Sequence, residues 1–198
     1  MATAGQLSEL LHDLRSAVSG LDVAGLRRVS RAAADATALD DGEETFNVAL
    51  VSYMLSKLLS KQHYWDVRGK RRFMRAALEK IAACEELVKR GKTRQYLKKM
   101  HGVIEDMRRL ELADERFVNG LEAKGRTKLA ARLYAQGFSL SKAVALTSAH
   151  KRDLLAYSGR TLMADRSGRT MPLEERLKGA RKVFPGHCVP EDEGIWFC

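Results

Sequence analysis

The sequence predicts an all-α protein, with an amino-terminal helical bundle followed by a basic helical domain. Three observations carry this. The 198 residues include only 3 prolines, and Ala, Leu, Lys, Arg and Glu, all strong helix formers, dominate the rest. Apolar side chains recur three and four residues apart through most of the chain. Finally, the +10 net charge is gathered away from the amino terminus.

Taken in order, Gln6–Ser19 is an amphipathic helix whose stripe is Leu7, Leu10, Leu11, Leu14 and Val18, with Gly20 as its stop. Asp22 caps a second helix reaching about Ala38, with Leu26, Val29 and Ala33 inward; its alanine-rich face suits close packing. After the Asp40-Asp41-Gly42 loop, Glu44–Gln62 carries Phe46, Leu50, Tyr53, Met54 and Leu58, with Val51, Leu55 and Leu59 beside them. Apolar residues on more than one face make it the central helix of a bundle over residues 1–66. His63, Tyr64 and Trp65 interrupt the pattern and seal one end of that bundle; stacking on exposed bases is the functional alternative.

Residues 67–122 form a basic helical segment and a linking helix. Lys70–Lys89 places Phe73, Ala77, Ile81, Cys84 and Val88 on one side. Lys70, Arg71, Arg72 and Arg75 crowd its start, against the helix dipole but in a geometry that draws a phosphate. Lys89-Arg90-Gly91-Lys92 is a basic turn. The Gly-Lys-Thr within it is no nucleotide-binding loop, because the upstream glycine and the strand are missing. From Thr93 a helix with Tyr96, Met100, Ile104 and Met107 inward runs to Leu110, and onward through Phe117 as a link between the two halves.

Residues 123–186 hold the stretch of greatest interest. Thr127–Gln136 forms a helix with Leu129, Leu133 and Tyr134 on its face, and Gly137 ends it because glycine takes a left-handed stop without penalty. Ser139 or Ser141 caps a second helix with Leu140, Val144 and Ala145 turned inward. A third runs from Ser148 to Tyr157 with Gly159 as its stop. Over about 35 residues this order resembles the trihelical helix-turn-helix of resolvase, transposase and regulator DNA-binding domains. LYAQG and FSLSKAVALT match the first and second helices, and SAHKRDLLAY stands at the recognition helix. Thr147-Ser148-Ala149 occupies the turn where that family usually carries a glycine or similar small residue. The resemblance implies that Ala145 packs in the helix-helix contact and that Leu154 or Leu155 plugs the core. It also implies that Ser148, His150, Lys151, Arg152 and Asp153 face the major groove or its flanking phosphates.

Beyond Gly159 an arginine loop holds Arg160, Arg166 and Arg169, placed as an arm toward the minor groove or backbone. A short helix from Pro172 or Leu173 follows. The tail, residues 187–198, is acidic and apolar. His187, Cys188 and Cys198 lack the paired spacing of a zinc site, and Ile195-Trp196-Phe197 is an apolar tip suited to docking.

Residues 1–60 carry five basic and eight acidic side chains, whereas 64–109 carry fourteen and six, and 120–185 fourteen and five. Two basic blocks suit a polyanion partner. Double-stranded DNA is the expected one, held mainly through its phosphates and therefore salt-sensitively. The alternatives are a scaffold whose basic face meets an acidic protein, an RNA-binding protein, and an all-helical nuclease using Glu44, Glu79 or Glu105. A non-enzymatic role is favoured, because no short motif joins nucleophile, base and orienting group. No cofactor or metal is expected. The amino-terminal helices are candidates for homo-oligomer or protein contact. The odd, scattered cysteines, the lack of a secretory signal and the lack of an apolar run of about 18 residues point to an intracellular, cytoplasmic or nucleoid-associated protein.

Overall fold

The structure, a computed structural model, describes residues 4–60, 68–112 and 120–160, with the backbone alone for 4, 68–71 and 160. The chain divides into two units after Ser158, and all the packing that follows lies in the first. Among the described residues the chain is all helix: α1 (Ala4–Ser19), α2 (Val23–Asp40), α3 (Glu43–Leu59), α4 (Arg68–Lys89), α5 (Thr93–Leu112), α6 (Leu121–Ala135), α7 (Leu140–Thr147) and α8 (Lys151–Arg160). None is long and apolar enough to cross a membrane.

The α1 stripe is buried as its spacing predicts, Leu11, Leu14 and Val18 completely. The helix stops at Gly20 as expected, but the chain reversal is made one residue later. Leu21, not Gly20, takes the left-handed conformation, with φ 53 at Asp41 and φ 52 at Leu21 marking the ends of α2 and α1. The cause is Asp22, which does two jobs at once. Its N–H donates back to the Ala17 carbonyl at 2.8 Å, while its carboxylate accepts from Gly25 N at 2.8 Å and caps α2. A residue so tied on both sides leaves the reversal to its predecessor.

α2 and α3 form the most extensive helix pair. Ala33, Ala34 and Ala36 let the backbones approach, and Ser30 donates its hydroxyl across the gap to the Ala49 carbonyl at 2.9 Å. α3 is buried around most of its circumference, which places it at the centre. α4 packs on α1 and α5, and α5 returns against α3. Met74, Ala77, Ile81, Cys84 and Val88 from α4, with Tyr96, Met100, Val103, Ile104 and Met107 from α5, are all buried. Those of them that join the main cluster share one core with α1–α3. Tyr96 is completely buried and donates its hydroxyl to the Glu44 carbonyl at 2.8 Å, so α5 is stitched to the start of α3. Cys84 is a packing residue, its thiol pushed up to about 12 by burial.

The expected continuation of α5 through Phe117 falls on residues outside the described part. α5 is described as far as Leu112, and residues 113–119 lie outside the described part. Gly120, at φ 103, then precedes α6. α6 itself starts six residues before Thr127. Leu121, Glu122 and Gly125 are buried in its first turns, and the Leu121 N–H donates to the Glu111 carboxylate at 2.9 Å. From there α6 lies over α2 and α3.

Candidate nucleic-acid interface

α6, α7 and α8 close around a second, smaller apolar cluster of Ala130, Leu133, Ala143, Ala149 and Leu154. The connection between α6 and α7 follows expectation: Gly137 takes φ 99, and the Ser139 hydroxyl accepts from Lys142 N at 3.2 Å to cap α7. One expected core position moves. Ala143 is fully buried, whereas Ala145 is exposed, because Ala143 and Thr147, one turn apart, form the face of α7 that meets α6. Of the two leucines expected to plug the core, Leu154 does so, and Leu155 stands 48 % exposed.

The α7–α8 connection is three residues long, so α8 begins at Lys151 rather than at Ser148. Ser148 is the left-handed residue of this turn, at φ 53 and ψ 30, and its N–H donates to the Val144 carbonyl at 2.8 Å. The buried Thr147 hydroxyl donates to the Ala143 carbonyl at 2.7 Å and accepts from Ala149 N at 3.3 Å. The Thr147 carbonyl in turn accepts from Arg126 Nη1 at 2.7 Å. This long side chain from α6 therefore holds the turn from which α8 departs.

Arg126 is itself fixed. Its Nε donates to Glu122 Oε1 at 2.7 Å, and its guanidinium lies 5.7 Å from the centre of the Phe46 ring. The other Glu122 oxygen is held by Arg108 of α5, which also bonds Glu105 at 3.1 Å. Burial alone would raise the Glu122 pKa, but two guanidinium partners outweigh it and hold the carboxyl below its ordinary value. A cleft of about 300 Å³ lies beside this group, lined by Ser148 and His150 together with Arg108, Glu122, Arg126 and Thr127. Two further pairs anchor the unit: Arg132 grips Asp35 of α2 through Nη2 at 2.8 Å, and Lys142 pairs with Asp41 at 2.7 Å.

The predicted contact residues fall into three places. Ser148 and His150 are exposed in the turn, while Lys151, Arg152 and Asp153 are exposed on the first turn of α8. Neither Lys151 nor Arg152 has an ion partner among the described residues. Arg72 and Arg75 are exposed near the start of α4, on a helix that packs with α1 and α5 and not with the trihelical unit. Lys70 and Arg71 lie on its first turn, their side chains outside the described residues, as is that of Arg160 at the end of α8. Arg166, Arg169, the His63-Tyr64-Trp65 stretch and the tail with His187, Cys188 and Cys198 also lie outside. Among the described residues no group of three or more His, Cys, Asp or Glu side chains is arranged to hold a metal ion.

Sequence reasoning missed Glu122, Arg126 and Arg108 as the brace behind the turn. The available signal was the four-residue spacing of Glu122 and Arg126, hidden because the apolar spacing places the helix start at Thr127. No protein-family model, curated protein or solved structure matches this chain.

Proposed function

We propose that this chain binds double-stranded DNA, with α8 as the helix presented to the major groove. The observation that carries the reading is the pairing of a braced turn with free cations. Arg126 and Thr147 fix the departure of α8. Lys151 and Arg152 then stand exposed on its first turn, without an ion partner among the described residues. A recognition helix meets base edges with its amino-terminal residues, so a fixed approach angle and unpaired donors there are what it requires. His150 adds a ring donor or acceptor at the same end. The helix lengths and the three-residue α7–α8 connection are compatible with the helix-turn-helix order.

The test is duplex binding by fluorescence anisotropy, titrated with salt and run in parallel with single-stranded DNA, RNA and an acidic polypeptide. The expected result is duplex binding selective over the acidic chain and steeply salt-dependent. In Lys151→Ala/Arg152→Ala it should weaken about tenfold, with the salt slope reduced by nearly 2. Equal affinity in wild type and that variant, both correctly folded, would remove α8 from the interface.

A further inference from the structure

On the opposite flank of α6 from the Glu122 brace, four cations from three helices converge, and among the described residues no carboxylate pairs with them. The geometry follows from the Asp35–Arg132 pair. That bidentate contact, at 2.8 Å, fixes α6 alongside α2. One turn earlier on each helix stand Arg31 and Lys128. Lys128 feels Arg31, and Arg27 a further turn back along α2, so an opposite-charge pair is followed on this flank by like charges. From α3, Lys57 joins them. Its ammonium lies 5.8 Å from the centre of the Tyr53 ring, and that of Lys128 lies 5.5 Å from the same ring. Gly125 makes this convergence possible, because a Cβ there would stand 2.9 Å from Tyr53 Cδ1 and from Leu50 Cδ1.

None of Arg27, Arg31, Lys57 and Lys128 has an ion partner among the described residues, and Asp35 is already engaged by Arg132 and Gln136. The mutual repulsion is felt: Lys128 is held below the ordinary lysine range, by partial burial first and then by Lys57, Arg31 and Arg27. Such a cluster is unfavourable when empty and favourable around a polyanion, which supplies the missing negative charge. The patch also adjoins α8. Tyr157 lies close enough to raise the Tyr53 pKa, after the larger effect of burial. Along α8 the rise from Lys151 to Tyr157 is about 9 Å, roughly the span of three nucleotides on one strand.

We infer that Arg27, Arg31, Lys57 and Lys128 form a phosphate-binding site, built around Tyr53, for the backbone of the same DNA duplex that meets α8. The inference rests on the DNA-binding reading above. It assigns the patch a positioning task without base recognition, since phosphate contacts orient a protein on the duplex and carry no sequence information.

The experiment uses the full chain and a short mixed-sequence duplex, with anisotropy recorded across a salt series. The proteins are wild type, Lys57→Gln/Lys128→Gln, Arg27→Gln/Arg31→Gln and Lys151→Ala/Arg152→Ala. Each patch variant should bind about tenfold more weakly, with the salt slope reduced by close to 2 and the ranking of different duplexes unchanged. Without DNA, the melting temperature of Lys57→Gln/Lys128→Gln should equal or exceed that of wild type, because a repulsion has been removed. A wild-type protein that binds duplex, with both patch variants matching its affinity and slope, overturns this inference and leaves the α8 reading intact. Absence of wild-type duplex binding at low salt overturns both. A lowered melting temperature of Lys57→Gln/Lys128→Gln would make the lysines structural supports of Tyr53 and would also overturn the site.

Discussion

The two flanks of α6 use the same residue types to opposite ends. On one flank, Arg126 and Arg108 close on Glu122, and Arg126 also satisfies the Thr147 carbonyl. These three charges satisfy one another, and the product is the fixed α7–α8 turn. On the other flank, one short step along the helix, Lys128 faces Lys57, Arg31 and Arg27 with no paired counter-charge among the described residues. Charge count does not separate these flanks, but pairing does. A cation committed to a buried carboxylate is part of the fold, and a cation left among cations awaits something from outside.

The largest effect that would break this comparison comes from the closed flank. Arg126→Ala leaves Glu122, whose side chain is 10 % exposed, with a single guanidinium, and orphans the Thr147 carbonyl. The expected loss is about 2–4 kcal/mol in urea denaturation. Lys128→Ala on the open flank should stay within about 0.5 kcal/mol of wild type. Similar losses in the two variants would mean that pairing does not distinguish the flanks.

Acid should probe the same pair without mutation. Folding lowers the Glu122 pKa, so the unfolded chain holds that proton more tightly than the native one. The stabilisation is complete above the ordinary value of 4.5 and fades as the pH drops from there through the folded value. Melting temperatures recorded between neutral pH and pH 3 should therefore fall more steeply for wild type than for Glu122→Gln. Parallel profiles would count against the brace.

Gly125 sits between the flanks, and Gly125→Ala sharpens the contrast. The new methyl would meet Leu50 and Tyr53 at 2.9 Å. Overpacking of that kind costs about 1–3 kcal/mol, against a gain of about 1 kcal/mol from helix propensity, so a net loss near 1 kcal/mol is expected. Because the contact pushes on Tyr53, DNA affinity should fall with it. A stabilised variant would show that α6 has room to move away from α3.

How much of this was legible in the sequence depended on whether burial came from apolar spacing. The stripes of α1, α4 and α5 were readable because Leu14, Ile81 or Met100 recurs with its neighbours every three or four residues. The start of α6 was not, since Glu122, Lys124, Gly125 and Arg126 look like a surface loop until Glu122 finds its arginines and Gly125 its close approach to Tyr53. The open patch was hidden for a different reason. Its cations are drawn from positions 27, 31, 57 and 128, three of them inside the segment with more acidic than basic residues. Counting charge along the chain averages away a cluster that only the helix packing assembles.

The smallest expected effect concerns the turn itself. Ser148 holds a left-handed backbone at φ 53, which disfavours a side chain by about 1–2 kcal/mol, and it is exposed. Ser148→Gly removes that strain but frees the unfolded chain, so a net gain of about 0.5 kcal/mol is expected, or a rise of roughly 1–2 °C in melting temperature. Thr147→Val runs the other way. It deletes a buried hydroxyl that both donates to Ala143 and accepts from Ala149, at a cost of about 1 kcal/mol. On the DNA-binding proposal, Arg126 and Thr147 aim the turn whereas Ser148 supplies at most one hydroxyl contact, so Thr147→Val should lower DNA affinity more than Ser148→Gly does. A loss of affinity in the glycine variant alone would move the control of α8 from the brace to the turn residue, and the two-flank account of α6 would need rebuilding around Ser148.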